Sequence, residues 1–203
     1  SGKRPHWRFK LEASGINWID LIKGNVSFDP KNLSDPVLIR EDGTLLYHLP
    51  SVIDDIQENI THIIRGEDHI ANTAYHIQIF EALESTIPTF AHHPFLIDDE
   101  GKGFSKRMGS LSIEYFKNAG FENITLLNYF LFIGSSNNIE PINDLKKIIS
   151  NFDINNISKS SAKFSKESLI SLNRDTIKLL GFDQVKDRLL NLSINLQEET
   201  FWQ

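Results

Sequence analysis

The chain has 203 residues, of which 40% are hydrophobic and 24% charged, and its net charge is −6 at pH 7. This composition is that of an ordinary globular protein, which excludes collagen-like, coiled-coil and strongly disordered chains, and the acidic balance gives no sign of nucleic-acid binding. Cysteine is absent, which excludes disulfide scaffolds and thiolate zinc sites and is compatible with a reducing cytoplasm. The longest apolar runs fall far short of the roughly 20 residues that span a bilayer, so we expect no membrane span.

The first third of the chain predicts a small, twisted β region. Residues 7–11 alternate apolar and polar side chains with the period of a strand, and residues 25–28 follow a glycine. Residues 36–40 and 45–47 are strand-like runs on either side of an Asp-Gly turn signal, which predicts a hairpin. The hydroxyl of Ser51 precedes acidic residues and predicts a helix start near that position, because it can cap free backbone N–H groups.

The next segment predicts a strand, a charged loop, a long helix and a second strand. Residues 60–64 are β-branched and nearly all apolar, which is typical of a strand covered on both faces in a parallel sheet. Apolar residues then recur at helical spacing over residues 70–83, and residues 90–97 supply the next strand. Ligands are expected at the carboxyl ends of these strands, where Arg65 and the segment after Ile97 lie.

The pattern changes after residue 98. Residues 98–110 form a glycine-spaced loop whose second half is basic, and residues 113–192 predict short helices separated by Gly, Asn and Ser breaks. Two domains therefore fit the sequence better than one, with a division near Ile97.

The glycine-spaced loop carries Lys102, Lys106 and Arg107, which could stabilise a phosphate chain while Ser105 and backbone donors orient it. A solvated surface turn is the alternative, and composition alone favours it because short basic clusters are common. The loop lacks the spacing of a P-loop.

Arg65 ends a strand that looks buried, where a permanent charge needs an anionic ligand or a carboxylate. From the local sequence, an ion pair with Asp54, Asp55, Glu67 or Asp68 is as compatible as a ligand.

Two further positions have open interpretations. Tyr47 could present its hydroxyl to a ligand or pack within the hairpin. His92 and His93 with Asp98 and Asp99 could suggest a metal site, but adjacent strand residues point to opposite faces, so we predict no metal ligands here.

Four stretches resemble the glutamyl-tRNA synthetases, which are class I aminoacyl-tRNA synthetases. They occur in the order and spacing of that family: residues 42–47 (DGTLLY), 60–69 (ITHIIRGEDH), 90–94 (FAHHP) and 104–109 (FSKRMG). Each is a weak signal, but four in register over roughly 70 residues argue strongly against chance. The likeness continues at residues 127–129 and 172–174 and covers essentially the whole chain.

The resemblance implies an α/β fold. It would comprise the second half of a class I synthetase Rossmann-type nucleotide-binding fold with a remnant β insertion, followed by a mostly α-helical stem-contact domain. By the same likeness, residues 1–41 are the end of the connective, acceptor-binding insertion and residues 42–97 the second half of the catalytic fold. Residues 98–203 would hold the signature loop, the helical stem-contact region and the start of the anticodon-binding helices.

The function that the resemblance implies is that of an ATP-dependent, AMP-forming glutamate-tRNA ligase of the cytoplasm. L-glutamate would react with ATP, bound with Mg²⁺, to give glutamyl-adenylate, and the glutamyl group would pass to the 3′ end of tRNA(Glu). The partners would be tRNA(Glu), L-glutamate and ATP, with no membrane. We expect a monomer, and no zinc in this piece of chain.

The family's motifs also assign site residues by position. Tyr47, Ser51 and Arg65 match its glutamate-binding residues, with Arg65 facing the substrate carboxylate. Ser51 stands where many members have Asn, and its reach is shorter. Asp68 matches an acidic position beside ATP, and Leu96 matches a strand position whose backbone meets adenine.

The family's signature loop, Lys-Met-Ser-Lys-Ser, matches five positions here: Gly103, Phe104, Ser105, Lys106 and Arg107. The last three of these are expected to contact ATP, and Lys106 is the catalytic cation that stabilises the leaving pyrophosphate. Gly103 stands where most members carry Lys or Arg, so one phosphate contact is missing unless Lys102 replaces it.

The other class I signature, a His-Ile-Gly-His-like segment, does not occur in this chain. We therefore expect an internal fragment that is inactive alone. One alternative is a synthetase relative that glutamylates a tRNA base, against which the helical segment after Ser165 argues. The other is a noncatalytic RNA-binding module derived from a synthetase.

Overall fold

A computed structural model describes residues 5–98, 100–103 and 112–193. The chain divides into two compact units, Ser1–Phe95 with Ser158–Ser160 and Leu96–Ile157 with Ser161–Gln203. In these described ranges no helix is long and apolar enough to cross a membrane. The assignment of residues 1–41 to a separate insertion stays a prediction.

The first unit begins with four short strands: β1 (Trp7–Arg8), β2 (Ile16–Asp20), β3 (Gly24–Phe28) and β4 (Val37–Ile39). Strand β1 pairs antiparallel with β4, and β2 pairs antiparallel with β3 through a tight turn that ends at Gly24. Gly24 has a φ of +81°, which a residue with a side chain rarely adopts. Trp18 stacks on Phe28 with ring centroids 5.8 Å apart, which covers one face of this ribbon.

The predicted hairpin at residues 36–47 forms its turn but not its second strand. The N–H of Arg40 donates to the carbonyl of Thr44 at 2.9 Å, and Leu45 forms a single bridge with Ile39. The chain then enters helix α1 (His48–Gln57), three residues before the predicted start. Pro50 explains the difference, since proline is well tolerated in the first turn of a helix, where its missing N–H has no partner to lose.

Ser51 therefore lies inside α1 and does not cap it, which corrects the predicted helix start. Its backbone N–H donates to the carbonyl of Tyr47 at 3.1 Å, and Tyr47 is the residue that precedes the helix.

The predicted strand–helix–strand unit is present. Strand β5 (His62–Gly66) and strand β6 (Thr89–His93) pair in parallel, and helix α2 (Ile70–Ala82) connects them. The register places Arg65 opposite His92. The core of the unit gathers fully buried side chains from α1, α2 and β6: Val52, Ala74, Ile79, Phe80 and Phe90.

The expected coverage of β5 on both faces is wrong for the residues described. Ile64 is 56% exposed, and the side chains of β5 alternate between exposed and half-buried. Ile63 packs against the core of the unit, whereas Ile64 points to the opposite face of β5 and is not covered there by the described residues.

The second unit is mostly helical, as predicted. It contains strands β7 (Leu96–Ile97) and β8 (Ala162–Lys163), which pair in parallel, and helices α3 (Ile113–Asn118), α4 (Asn123–Phe132), α5 (Leu145–Asn151), α6 (Lys166–Ile177) and α7 (Phe182–Asn191). The hydroxyl of Ser165 caps the first turn of α6. Residues 90–97 form two strands, because Pro94 follows β6 and cannot donate to a sheet.

The core of the second unit is aromatic. Phe116, Tyr129 and Phe164 are buried and pack edge-on or tilted with Leu169 beneath them. The hydroxyl of Tyr129 accepts from the N–H of Ser165 and donates to its carbonyl, both at 3.0 Å, which ties α4 to the start of α6.

Candidate active site

Arg65 is the centre of the polar cluster at the carboxyl end of β5. Its Nη1 donates to the hydroxyl of Tyr47 at 3.0 Å, its Nη2 to the hydroxyl of Thr73 at 2.7 Å, and its Nε to Nε2 of His92 at 3.3 Å. Its guanidinium also lies over the ring of Phe90, 5.8 Å from the centroid. All these partners are uncharged groups.

The local ion pairs considered for Arg65 do not form among the described residues. Glu67 pairs with Lys23 at 2.6 Å, and Asp68 lies 3.7 Å from the ring of His69. Burial lowers the pKa of Arg65, while Tyr47, Asp55 and Asp68 act in the opposite direction. Arginine stays charged in any protein environment, so this half-buried cation is well suited to an anionic ligand.

Tyr47 sits beside Arg65 because the turn before α1 and the end of β5 converge. Its side chain is 45% exposed, and its hydroxyl lies 3.4 Å from Nδ1 of His69 as well as next to Arg65. Ser51 follows one turn later on α1, so the two side chains lie on the same side of that helix. The structure thus brings Tyr47 and Arg65 into contact and places Ser51 half-buried nearby along the helix.

Asp68 lies in the 3₁₀ turn Glu67–His69, directly after β5. A Cβ on Gly66 would lie 2.5 Å from Oδ1 of Asp68, so the carboxylate packs closely against the bare backbone of that glycine. Glu67 is fixed by Lys23, whose hydrogen bond is the largest cause of the lowered pKa of Glu67. Asp68 is mostly exposed, which leaves its carboxylate open at the same strand end as Arg65.

Two histidines with lowered pKa values, His48 and His76, lie beside the ring of Tyr47. His76 is buried, and its Nε2 lies 3.2 Å from Nδ1 of His48. Burial, followed by the nearby charge of Arg65, lowers the pKa of His76 to about 3. The pKa of His48 is lowered for the same reasons. At neutral pH these rings are uncharged, and they leave Arg65 as the cation of the cluster.

The two adjacent histidines of β6 have different surroundings. His92 is fully buried against Asp20, whereas His93 is exposed and its Nδ1 lies 3.1 Å from the carbonyl of Pro94. Across the described ranges no cluster of His, Asp or Glu could hold a metal ion. Sequence reasoning missed the partnership of Asp20 with His92, because nothing local connects a strand-end aspartate to a histidine 72 residues later.

The remaining predicted site residues belong to the second unit. Leu96 lies in β7 opposite Ala162 of β8 and is half-buried. Gly103 forms a bridge with Ile97 and is exposed, so a short hairpin precedes the signature loop. Phe104, Ser105, Lys106 and Arg107 lie outside the described residues.

Lys102, considered as a replacement for the missing first cation, lies on this hairpin. Its Nζ pairs with Glu100 at 2.6 Å, and about three quarters of both side chains is exposed. Its backbone N–H donates to the carboxylate of Asp98 at 2.8 Å. The replacement of a phosphate contact by Lys102 stays a prediction.

A parallel strand–helix–strand unit, with an arginine and an acidic turn at the carboxyl end of its first strand and a tyrosine from the turn before α1 beside them, is the arrangement in which the α/β nucleotide-fold class places its ligands. Residues 1–171 match the family of tRNA synthetases class I (E and Q), catalytic domain, and the chain belongs to this family. The implied α/β class of fold is thereby confirmed.

Relatives and solved structures agree with this assignment. The chain is 45% identical over 205 residues to glutamate--tRNA ligase 2 of Beijerinckia indica and 46% identical over 203 residues to glutamate--tRNA ligase of Azospirillum brasilense; each comparison covers 100% of this chain and 46% of the relative. A glutamate tRNA ligase from Elizabethkingia meningosepticum, solved in complex with its amino acid, superposes with a TM-score of 0.80 at 28% identity over 96% of this chain and 44% of that one. The chain thus spans about half the length of the curated relatives that it matches.

Proposed function

We propose that this chain contributes the second half of the active site of a glutamate-tRNA ligase. The observation that carries the proposal is the guanidinium of Arg65, which is half-buried, held by Tyr47, Thr73 and His92, and without a carboxylate partner in the part of the chain described. The side-chain carboxylate of L-glutamate would supply that partner through a charge-assisted fork. The names of the relatives support this choice of ligand.

The proposal assigns the remaining groups to ATP and tRNA. Asp68 and the backbone of Leu96 would border ATP with its Mg²⁺, and Ser105, Lys106 and Arg107 would contact its phosphates, with Lys106 stabilising the leaving pyrophosphate. The acyl group of the adenylate would then pass to the 3′ end of tRNA(Glu). We place the protein in the cytoplasm as a monomer, and we expect no aminoacylation by this chain alone.

Binding of L-glutamate to this chain tests the amino-acid site. Arg65→Lys keeps the charge but loses the planar fork, and Arg65→Gln loses both. Because hydrogen bonds between charged groups contribute about 1.5–3 kcal/mol, we expect Arg65→Gln to weaken binding by at least about 10-fold in calorimetry or an NMR titration. Arg65→Lys should fall between Arg65→Gln and the unchanged chain.

Two controls make this experiment specific. Arg40→Gln removes an exposed arginine from the turn before α1 and should leave glutamate affinity unchanged. L-glutamine should bind more weakly than L-glutamate, because it lacks the negative charge that faces Arg65. Equal affinity of the Arg65→Gln variant and the unchanged chain would refute the assignment of Arg65.

Pyrophosphate exchange tests the catalytic assignment in a protein of the relatives' full length that carries this sequence. ATP–pyrophosphate exchange should depend on L-glutamate and on tRNA(Glu), and Lys106→Glu should reduce it strongly without changing the melting temperature. Lys117→Glu reverses a charge on the exposed face of α3 and should leave exchange intact. Absence of exchange in the unchanged protein would favour the noncatalytic RNA-binding alternative.

A further inference from the structure

Asp20 is a buried carboxylate that the proposed chemistry does not use. It ends β2, its side chain is 0% exposed, and its Oδ1 accepts the backbone N–H groups of Ile22, Lys23 and His92 at 2.9–3.1 Å. Burial by itself raises the pKa of Asp20, but these hydrogen bonds and the one from His92 outweigh it, and the net pKa is lowered. Asp20 is therefore an anion that offers its second oxygen, Oδ2, to the ring of His92 at 2.5 Å.

The contacts of His92 determine which of its ring nitrogens carries the proton. Nδ1 faces the ionised Oδ2 of Asp20 and must donate. Nε2 faces Nε of Arg65 at 3.3 Å and the hydroxyl of Thr73 at 2.9 Å. A guanidinium can only donate, so Nε2 of His92 must be the acceptor and the ring is neutral, with its proton on Nδ1.

Thr73 completes the hold on Arg65. Its hydroxyl oxygen accepts from Nη2 of Arg65 at 2.7 Å, and its own hydrogen is directed to Nε2 of His92 or to the carbonyl of His69 at 3.3 Å. One edge of the guanidinium is thus fixed by groups that are themselves fully buried, and Nη1 is left toward the exposed hydroxyl of Tyr47.

We propose that Asp20 and His92 are a positioning pair for Arg65. Ionised Asp20 fixes the Nδ1–H tautomer of His92, and the free lone pair of Nε2, together with Thr73, sets the plane in which Arg65 presents its fork to a substrate carboxylate. The pair reaches from the turn of the β2–β3 ribbon to the end of β5, so the ribbon takes part in orienting the amino-acid site. The role of Arg65 toward L-glutamate rests on the proposed function, whereas the hold on its side chain does not.

Nitrogen NMR of the unchanged chain tests the tautomer without any substitution. With ¹⁵N-labelled histidine at about pH 7, we expect the shifts of a protonated Nδ1 and an unprotonated Nε2 for His92. A protonated Nε2, in either a neutral or a doubly protonated ring, would overturn the inference.

Asp20→Asn reverses the polarity of the interaction with little change of shape. Its side-chain oxygen still accepts the three backbone N–H groups, but its NH₂ group now faces Nδ1 of His92 and forces the proton to Nε2, against the N–H of Arg65. We expect the tautomer of His92 to switch, the Nε–H signal of Arg65 to shift, and L-glutamate affinity to fall by about 10-fold. Unchanged tautomer and unchanged affinity would overturn the pairing.

Two substitutions of His92 separate positioning from stability. His92→Gln places an amide oxygen near the position of Nε2 and should keep glutamate affinity within about 3-fold, although it loses the donor to Asp20. His92→Asn keeps the donor to Asp20 but has no acceptor for Arg65, and it should bind about 10-fold more weakly. His93→Gln, at the exposed neighbour, should match the unchanged chain.

Unfolding by urea, measured on each variant, shows whether affinity simply follows stability. Glutamate affinities that track the free energies of unfolding, with Gln no better than Asn at position 92, would overturn the positioning role. If the unchanged chain has the expected tautomer and Asp20→Asn switches it, but L-glutamate binds to neither, the proposed function fails while the hold on Arg65 is supported.

Discussion

Acid should destabilise the first unit through His76. This side chain is 1% exposed on α2, its Nε2 contacts His48, and its buried Nδ1 has no hydrogen-bond partner among the described residues. Its pKa falls from 6.5 to about 3 on folding, first because of burial and then because of the nearby charge of Arg65. Protonation of the folded state would place a second cation inside the cluster around Arg65.

Proton linkage gives the direction and the size of the change that His76 causes in the free energy of unfolding. Between pH 6.5 and about 3 the unfolded chain binds a proton at position 76 that the folded chain does not, so the free energy of unfolding decreases as the pH falls. One such proton changes this free energy by up to about 1.4 kcal/mol per pH unit, which gives roughly 2 kcal/mol between pH 6.5 and 4.5. His48 has a lowered pKa too and adds a loss of the same sign.

Urea unfolding at several pH values measures this effect. Trp7 and Trp18 both belong to the first unit, so fluorescence in a Trp202→Phe background reports on that unit. The glutamine of His76→Gln can keep a hydrogen bond to His48 but cannot titrate. Between pH 6.5 and 4.5, the free energy of unfolding of this variant should therefore fall by roughly 2 kcal/mol less than that of the unchanged chain. Identical pH dependence with and without His76→Gln, or a pKa near 6.5 for His76 by NMR, would refute the reasoning.

Three further substitutions test contacts within each of the two units. Gly134→Ala should lower the melting temperature of the second unit, because Gly134 has a φ of +77° and an added Cβ would lie 2.6 Å from the Cβ of Ala162. An unchanged melting temperature would contradict both the backbone strain and the close contact. Phe80→Ala, at a fully buried position, should cost the first unit about 3–5 kcal/mol in urea unfolding, and a loss below 1 kcal/mol would count against the described core. Arg188→Ala breaks an ion pair with Glu122 in which the arginine side chain is 57% exposed. We expect the free energy of unfolding to fall by at most about 1 kcal/mol, and a larger decrease would contradict a solvent-screened pair.

The sequence by itself was sufficient for the order and type of most elements. The β-branched run before Arg65, the helical spacing after it and the following strand identify the parallel unit, because period and residue type are local properties of the chain. The family resemblance likewise rests on short stretches that can be read without coordinates. The missed start of α1 was also local, since Pro50 marks its first turn.

The tertiary structure alone decided what surrounds the candidate site. The local sequence places four carboxylates near Arg65. In the described residues, however, its side chain contacts Tyr47 from the turn before α1, Thr73 from α2 and His92 from β6. The exposure of Ile64 likewise depends on which elements pack against that face of β5. These contacts join residues that are distant along the chain, and they form only where strand register and helix packing bring the backbones together. For this reason the contact between ionised Asp20 and His92 could not be predicted from the residues next to either of them in the sequence.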